Sequence, residues 1–179
     1  MAVPESDRRA GPKVGTRTAF TFFADVLPGH EKALREGIEA DQRDPRSYDV
    51  IREIATLHEF RWVLFDEDRR IMFCSSFDGP WDVYIQDFVR SAIGQMIDKN
   101  LAHVGGGWVG IKDPGASDWL LAHAVPAAFY GCAYPEPPVK KIWKALAVEQ
   151  AFQQVLDDPA AEQALKNPAL KPLLDLAAD

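Results

Sequence analysis

Apolar and polar positions first alternate at a period of two in Thr18–Val26 (TAFTFFADV), which puts Phe20, Phe22, Ala24 and Val26 on one face. The aromatic and Thr content suits a strand, and Leu27-Pro28-Gly29 is a turn that stops it. Over His30–Arg43 the spacing changes to three and four, with Ala33, Leu34, Gly37 and Ile38 on one stripe and charges opposite, which predicts a helix. Residues 44–59 open on Asp-Pro and hold enough apolar positions (Val50, Ile51, Ile54, Leu57) for a short second helix. Phe60–Asp66 and Arg70–Ser76 then predict two strands joined as a hairpin by the charged turn Glu67-Asp68-Arg69. Asp78-Gly79-Pro80 ends that sheet segment. From Trp81 to Leu101 apolar residues recur every three or four positions, which predicts one long helix. A glycine loop at Gly105–Gly107 and a short helix over Asp118–Ala124 come next. A fourth strand is predicted at Ala127–Tyr134, a long amphipathic helix at Val139–Leu156, and two short helical pieces around Asn167-Pro168.

The order β–α–β–β–α–β predicts an α+β fold class: a ferredoxin-like antiparallel sheet with helices on one face and a helical C-terminal extension. Residues 18–158 would form that domain, 159–179 would pack on it as a tail, and the polar stretch 1–17 would be an unstructured arm rather than a secretory leader. The strands carry apolar residues on both faces, more than one layer of helices can cover. The expected remedy is a homodimer in which two sheets close a barrel-like interior, a dimeric α/β barrel.

Composition narrows the function classes. The chain has 179 residues, 47% of them apolar, enough for one sizeable core. A net charge of −7 argues against nucleic-acid partners, whose phosphates must be neutralised by cations. No apolar run approaches the ~20 residues that cross a bilayer, so no membrane partner is expected. Cys74 and Cys132 lie in apolar runs without nearby basic residues and read as reduced core thiols, which points to a cytoplasmic protein.

The chemistry-bearing residues gather at the two ends of the hairpin. His58 enters its first strand and Asp78 leaves its second, so both should lie at one open end, with Arg61 a little further in. Together they are the candidate catalytic residues: a His–carboxylate pair for proton abstraction and a guanidinium to stabilise the resulting anion. Phe22, Trp62, Phe73 and Trp81 are the candidate apolar walls of a substrate site. Each polar residue also has a structural reading. His58 could be a hydrogen-bonded strand-end residue, Arg61 the partner of Asp78 or Asp87, and Asp78 the N-cap of the helix that starts at Trp81. Strand alternation puts His58 on the face of Phe60 and Trp62, with Arg61 on the other. The four histidines lack HxH or HExxH spacing, and no glycine-rich phosphate loop is followed by Lys-Ser/Thr, so neither a metal nor a nucleotide is expected.

The run Val26-Leu27-Pro28-Gly29-His30-Glu31-Lys32-Ala33-Leu34, with Leu57–Leu64 and Phe73–Trp81, resembles the dimeric α/β-barrel superfamily over roughly Thr18–Leu156. That superfamily includes antibiotic-biosynthesis monooxygenases, chlorite dismutases and dye-decolorising peroxidases. The resemblance implies a small hydrophobic or aromatic ligand held in the barrel and an oxidoreductase, foremost a monooxygenase-like enzyme without a cofactor. A non-catalytic binding or accessory protein is the alternative class. Ser75-Ser76-Phe77-Asp78-Gly79 is similar to the GxxDG signature of dye-decolorising peroxidases, which would bring haem with His58 as axial ligand. Ser75 stands where that signature has its first glycine, and the chain is about half those enzymes' length.

Overall fold

The computed structural model describes residues 9–177. Contacts divide the chain into two compact units at Val139/Lys140, within the helix expected to close the 18–158 domain. The first unit is α+β, built on a four-stranded antiparallel sheet. Its strands are β1 (Lys13–Val14), β2 (Arg17–Asp25), β3 (Leu57–Phe65) and β4 (Arg70–Asp78), in the order β1-β2-β4-β3. Helix α1 is Glu31–Arg43 and α2 is Pro45–Arg52, the latter capped by Asp44, whose carboxylate accepts from the Arg46 N–H. The second unit continues α6 (Val139–Leu156) into short helical turns up to Ala177. No described helix is long and apolar enough to cross a membrane.

Three expectations change. The segment 127–134 is not a strand, because the edge of β2 where it would pair is already used in two pieces. Near one end the Ala19 N–H donates to the Pro12 carbonyl and β1 pairs with Arg17 and Thr18. Further along, the Val125 N–H donates to the Thr21 carbonyl and the Phe23 N–H to the His123 carbonyl. The chain then leaves the edge between Pro126 and Pro135, with Phe129 88% and Tyr134 73% exposed. Residues 9–17, expected within an unstructured arm, are therefore ordered, and Ala10 is fully buried; Met1 to Arg8 lie outside the described residues.

The predicted helix Trp81–Leu101 is two helices, α3 (Trp81–Arg90) and α4 (Ile93–Leu101). Ser91 turns extended, at φ −107° and ψ 164°, and its N–H bonds the Phe88 carbonyl. Gly94 then packs so close that a Cβ there would lie 2.5 Å from the Phe88 oxygen. The apolar spacing survives the break, since Ile93, Ile97 and Leu101 all remain buried.

The core lies between the sheet and these helices. Alternation sends Phe20 and Phe22 from β2, and Ile71, Phe73 and Phe77 from β4, to meet Trp81, Tyr84, Phe88, Ile93 and Leu101. Phe77 and Tyr84 stack with centroids 3.8 Å apart. The Tyr84 hydroxyl donates to Ser75 Oγ at 2.7 Å, and Trp81 Nε1 to Ser117 Oγ of α5 (Ala116–Ala122) at 2.8 Å.

Burial drives the Tyr84 phenol well above its ordinary titration range, with the Ser75 hydrogen bond acting against that shift. A group held neutral in this way contributes stability that is present below the unfolded tyrosine pKa of about 10 and is lost as pH rises beyond it. Denaturant midpoints should therefore fall above pH ~10, with one tyrosine of the wild type ionising only as the protein unfolds. Tyr84→Phe should remove that late step from the 295 nm titration; an unchanged curve would refute the assignment.

The hairpin turn is strained. Asp66, Glu67 and Asp68 take φ of 57°, 58° and 64°, a left-handed run without a glycine. It is held by the Arg35–Asp68 ion pair, which also keeps the Asp68 carboxyl below its usual range. A non-glycine residue in this region costs ~1–2 kcal/mol, and glycine recovers part of it against its own unfolded-state entropy. Glu67→Gly should accordingly stabilise the protein by about 0.5–1 kcal/mol in urea at unchanged m-value.

Candidate functional site

His58 and Asp78 do meet. A β-bulge between Leu57 and Glu59 inserts one residue opposite Phe77 and Ser76 of β4, and this turns His58 to the face that carries Asp78. His58 Nε2 lies 2.9 Å from Asp78 Oδ1, with the two side chains 8% and 11% exposed. Simple alternation, which grouped His58 with Phe60 and Trp62, fails at this bulge. Asp78 has two further donors: the Thr16 hydroxyl at 3.1 Å on Oδ1 and the Val139 N–H at 2.7 Å on Oδ2. The carboxylate thus ties the segment before β2, the entry of β3 and Val139 to the end of β4.

That geometry corrects the other readings. Asp78 does not cap α3, whose N-cap is Pro80 and has no side-chain cap bond. Arg61 joins neither Asp78 nor Asp87; Asp87 instead accepts from the Thr56 hydroxyl at 2.8 Å. Arg61 is exposed on β3. Phe22, Phe73 and Trp81 are packed core on the helix side of the sheet, with 1%, 4% and 1% exposure, so the sheet itself separates them from His58 and Asp78. They wall no shared site with the polar residues.

The open face holds a cavity of about 210 Å³, lined by Thr21, Arg61, Cys74, Ser76, Phe129 and Tyr130 among others. Tyr130 bonds Ser76, and partial burial raises its phenol above the ordinary range. Both cysteines are free, and Cys132 gains the basic neighbour its own segment lacks, Arg17 Nη1 at 3.1 Å from Sγ.

A larger cavity of about 330 Å³ opens beside the unpaired edge of β3, under α1, α2 and α4. Its walls are mostly apolar: Ile38, Ile51, Phe60, Met96 and the rings of Tyr48 and Trp62. Three of its lining residues each carry a buried polar atom without a hydrogen-bond partner: Asp41 Oδ2, Trp62 Nε1 and Asn100 Nδ2. Only four such atoms occur among the described residues. Each orphan costs about 1–3 kcal/mol until something bonds it. Asp41 Oδ1 is held by Lys99 Nζ at 2.8 Å, and Asn100 is 1% exposed.

Of these polar residues, sequence reasoning singled out Trp62 but missed Asp41 and Asn100. The signal was present: both sit on apolar helical stripes, Asp41 after Leu34 and Ile38, Asn100 after Ile93 and Ile97. A polar residue in such a position is a buried polar group in need of a partner.

Neither of these two cavities is lined by a histidine, and His58 Nε2 is held by Asp78. Among the described residues no three His, Cys, Asp or Glu side chains gather to hold a metal. Comparison with family models, with curated proteins and with solved structures finds no match.

Removing the Asp78 carboxylate strands two or three buried donors, so Asp78→Ala should cost about 3–5 kcal/mol in urea unfolding, and His58→Ala less. A loss under 1 kcal/mol for Asp78→Ala would show that this carboxylate is not a structural tie.

Proposed function

We propose that this protein binds a small, largely apolar molecule in the cavity beside β3. The observation that supports the reading is one mostly apolar-walled space of about 330 Å³, within the size range of small-molecule sites, with a few polar residues such as Gln42 and Ser47 in its lining. Such walls supply affinity by burial and leave orientation to a few polar atoms.

The fold reading belongs to the same proposal. The β2-β4-β3 order matches the first, third and second strands of a ferredoxin-like sheet, with β1 in the edge place of the fourth. A homodimer through the open face would cover Phe129 and Tyr134; a dimer mass in sedimentation at micromolar concentration supports it and a monomer removes it. A cytoplasmic location accords with the two free thiols.

A second reading, a cofactor-independent monooxygenase-like oxidoreductase, is favoured by the 2.9 Å His58–Asp78 pair. It requires that a substrate reach a pair now almost enclosed, and neither residue lines either cavity. Oxygen uptake that vanishes in a folded His58→Ala protein would establish it.

For the binding reading, the neutral fluorophore N-phenyl-1-naphthylamine should bind the full chain saturably at one site. Ile51→Trp, which fills the cavity, should weaken that binding at least tenfold with the melting temperature little changed. Equal binding by the variant would place the fluorophore elsewhere and remove the reading.

A further inference from the structure

We propose that His30 and His103 bind one divalent late transition-metal ion, of the class of Zn²⁺, Ni²⁺ and Cu²⁺, as a clip between the turn after β2 and the segment after α4. The site is separate from the cavity beside β3. The two imidazoles stand with Nδ1 facing Nδ1 at 3.1 Å and with ring planes 67° apart, His30 exposed and His103 half-buried. They are 73 positions apart in the chain, so no HxH or HExxH spacing announces them. The backbone brings them together without help from the rings. The Leu27 N–H donates to the His103 carbonyl at 2.9 Å, the Gly105 N–H donates to the Asp25 carbonyl at 2.8 Å, and Val26 bridges Val104. An ion therefore meets two ligands already held side by side, and little ordering is left for binding to cost.

The spacing suits chelation. Imidazole nitrogen binds Zn²⁺ at about 2.0–2.1 Å, so two such atoms 3.1 Å apart subtend about 95–102° at a shared ion. That angle lies between the about 90° of square and octahedral sites and the about 109° of a tetrahedral one. For the rings to bond each other, one carries its proton on Nδ1 and the other is bare there. Moving that proton to Nε2 frees both Nδ1 lone pairs for the metal. Water completes the shell, since among the described residues no third His, Cys, Asp or Glu joins the pair. Two nitrogen ligands select late transition ions over Mg²⁺ and Ca²⁺, which take oxygen. Charge permits a cation here. His30 stands at the positive end of the α1 dipole and His103 just past the negative end of α4, so the two offset. Glu31 opens α1 beside His30, and the chain as a whole carries −7. The other two histidines are engaged in the fold, His58 with Asp78 and His123 with the Trp119 carbonyl.

The test uses the full chain without tags, titrated with Zn²⁺ and Ni²⁺ by calorimetry and with one equivalent of Cu²⁺ for electron paramagnetic resonance. One Zn²⁺ or Ni²⁺ should bind per chain. Because the ion joins segments that separate on unfolding, a hundredfold excess over its dissociation constant should raise the melting temperature by roughly 5 °C, and the same concentration of Mg²⁺ should not. The Cu²⁺ spectrum should carry the hyperfine pattern of two imidazole nitrogens. His30→Ala and His103→Ala should each weaken Zn²⁺ at least tenfold and abolish the rise, with the metal-free melting temperature within about 2 °C of the wild type. The Cu²⁺ spectrum of the wild type needs no variant, so the proposal stays open to refutation even where a substitution disturbs folding. A spectrum with one nitrogen, undiminished Zn²⁺ binding by either folded variant, or a melting temperature unmoved by Zn²⁺ and Ni²⁺ would each overturn it.

Discussion

The antiparallel pairing of β2 with β4 runs without a bulge through nine residue pairs, from Arg17 with Asp78 to Asp25 with Arg70, and the rest of the first unit is arranged by it. Because side chains alternate along each strand, that one register sends Phe20, Phe22, Ile71, Phe73 and Phe77 to the helix side and Thr21, Cys74, Ser76 and Asp78 to the other. A slip of one residue would exchange the two sets and expose the aromatic core. The helix side uses most of the aromatics: Phe20, Phe22, Phe73, Phe77, Trp81 and Tyr84 pack ring against ring with centroids 3.8–6.3 Å apart. Phe60 and Trp62, on the edge strand, pack against that core and also line the cavity.

β3 is where regularity is relaxed. Its bulge moves His58 to the open face, where Asp78 receives it, and its outer edge has no strand neighbour. That edge is covered instead by helices, which cannot follow a strand closely, and the mismatch leaves the 330 Å³ space. Asp41, Trp62 and Asn100 in its lining each keep a buried polar atom without a partner, a cost to the fold.

Much of this was legible from residue order. Period-two segments placed β2 and β4 to within two residues and β3 to within three, and the expected helices at α1, α5 and α6 are present; even the meeting of His58 with Asp78 followed from both lying at one end of a hairpin. These are local properties, since side-chain periodicity follows from backbone geometry alone. The break at Ser91 left no mark on the pattern, because Ile93, Ile97 and Leu101 continue the apolar spacing whether or not the helix bends.

What residue order could not decide was competition between distant segments for the same groups. AAFYGCAY is as strand-like as RIMFCSS, yet β2 has only one free edge, and Pro12, β1, His123 and Val125 occupy it first. The bulge at His58 likewise changes which face a residue takes without changing its neighbours in the chain. Asp41, Trp62 and Asn100 stand on three different elements, each an unremarkable polar residue by itself, and only the packing of α1 and α4 over the edge of β3 turns them into one set of unmet hydrogen bonds. The sequence by itself determined periodicity, and with it the elements and the aromatic core; the tertiary structure decided edge occupancy, face reversal and the site, because each of those depends on which hydrogen-bonding groups remain unpaired once every other segment has been placed.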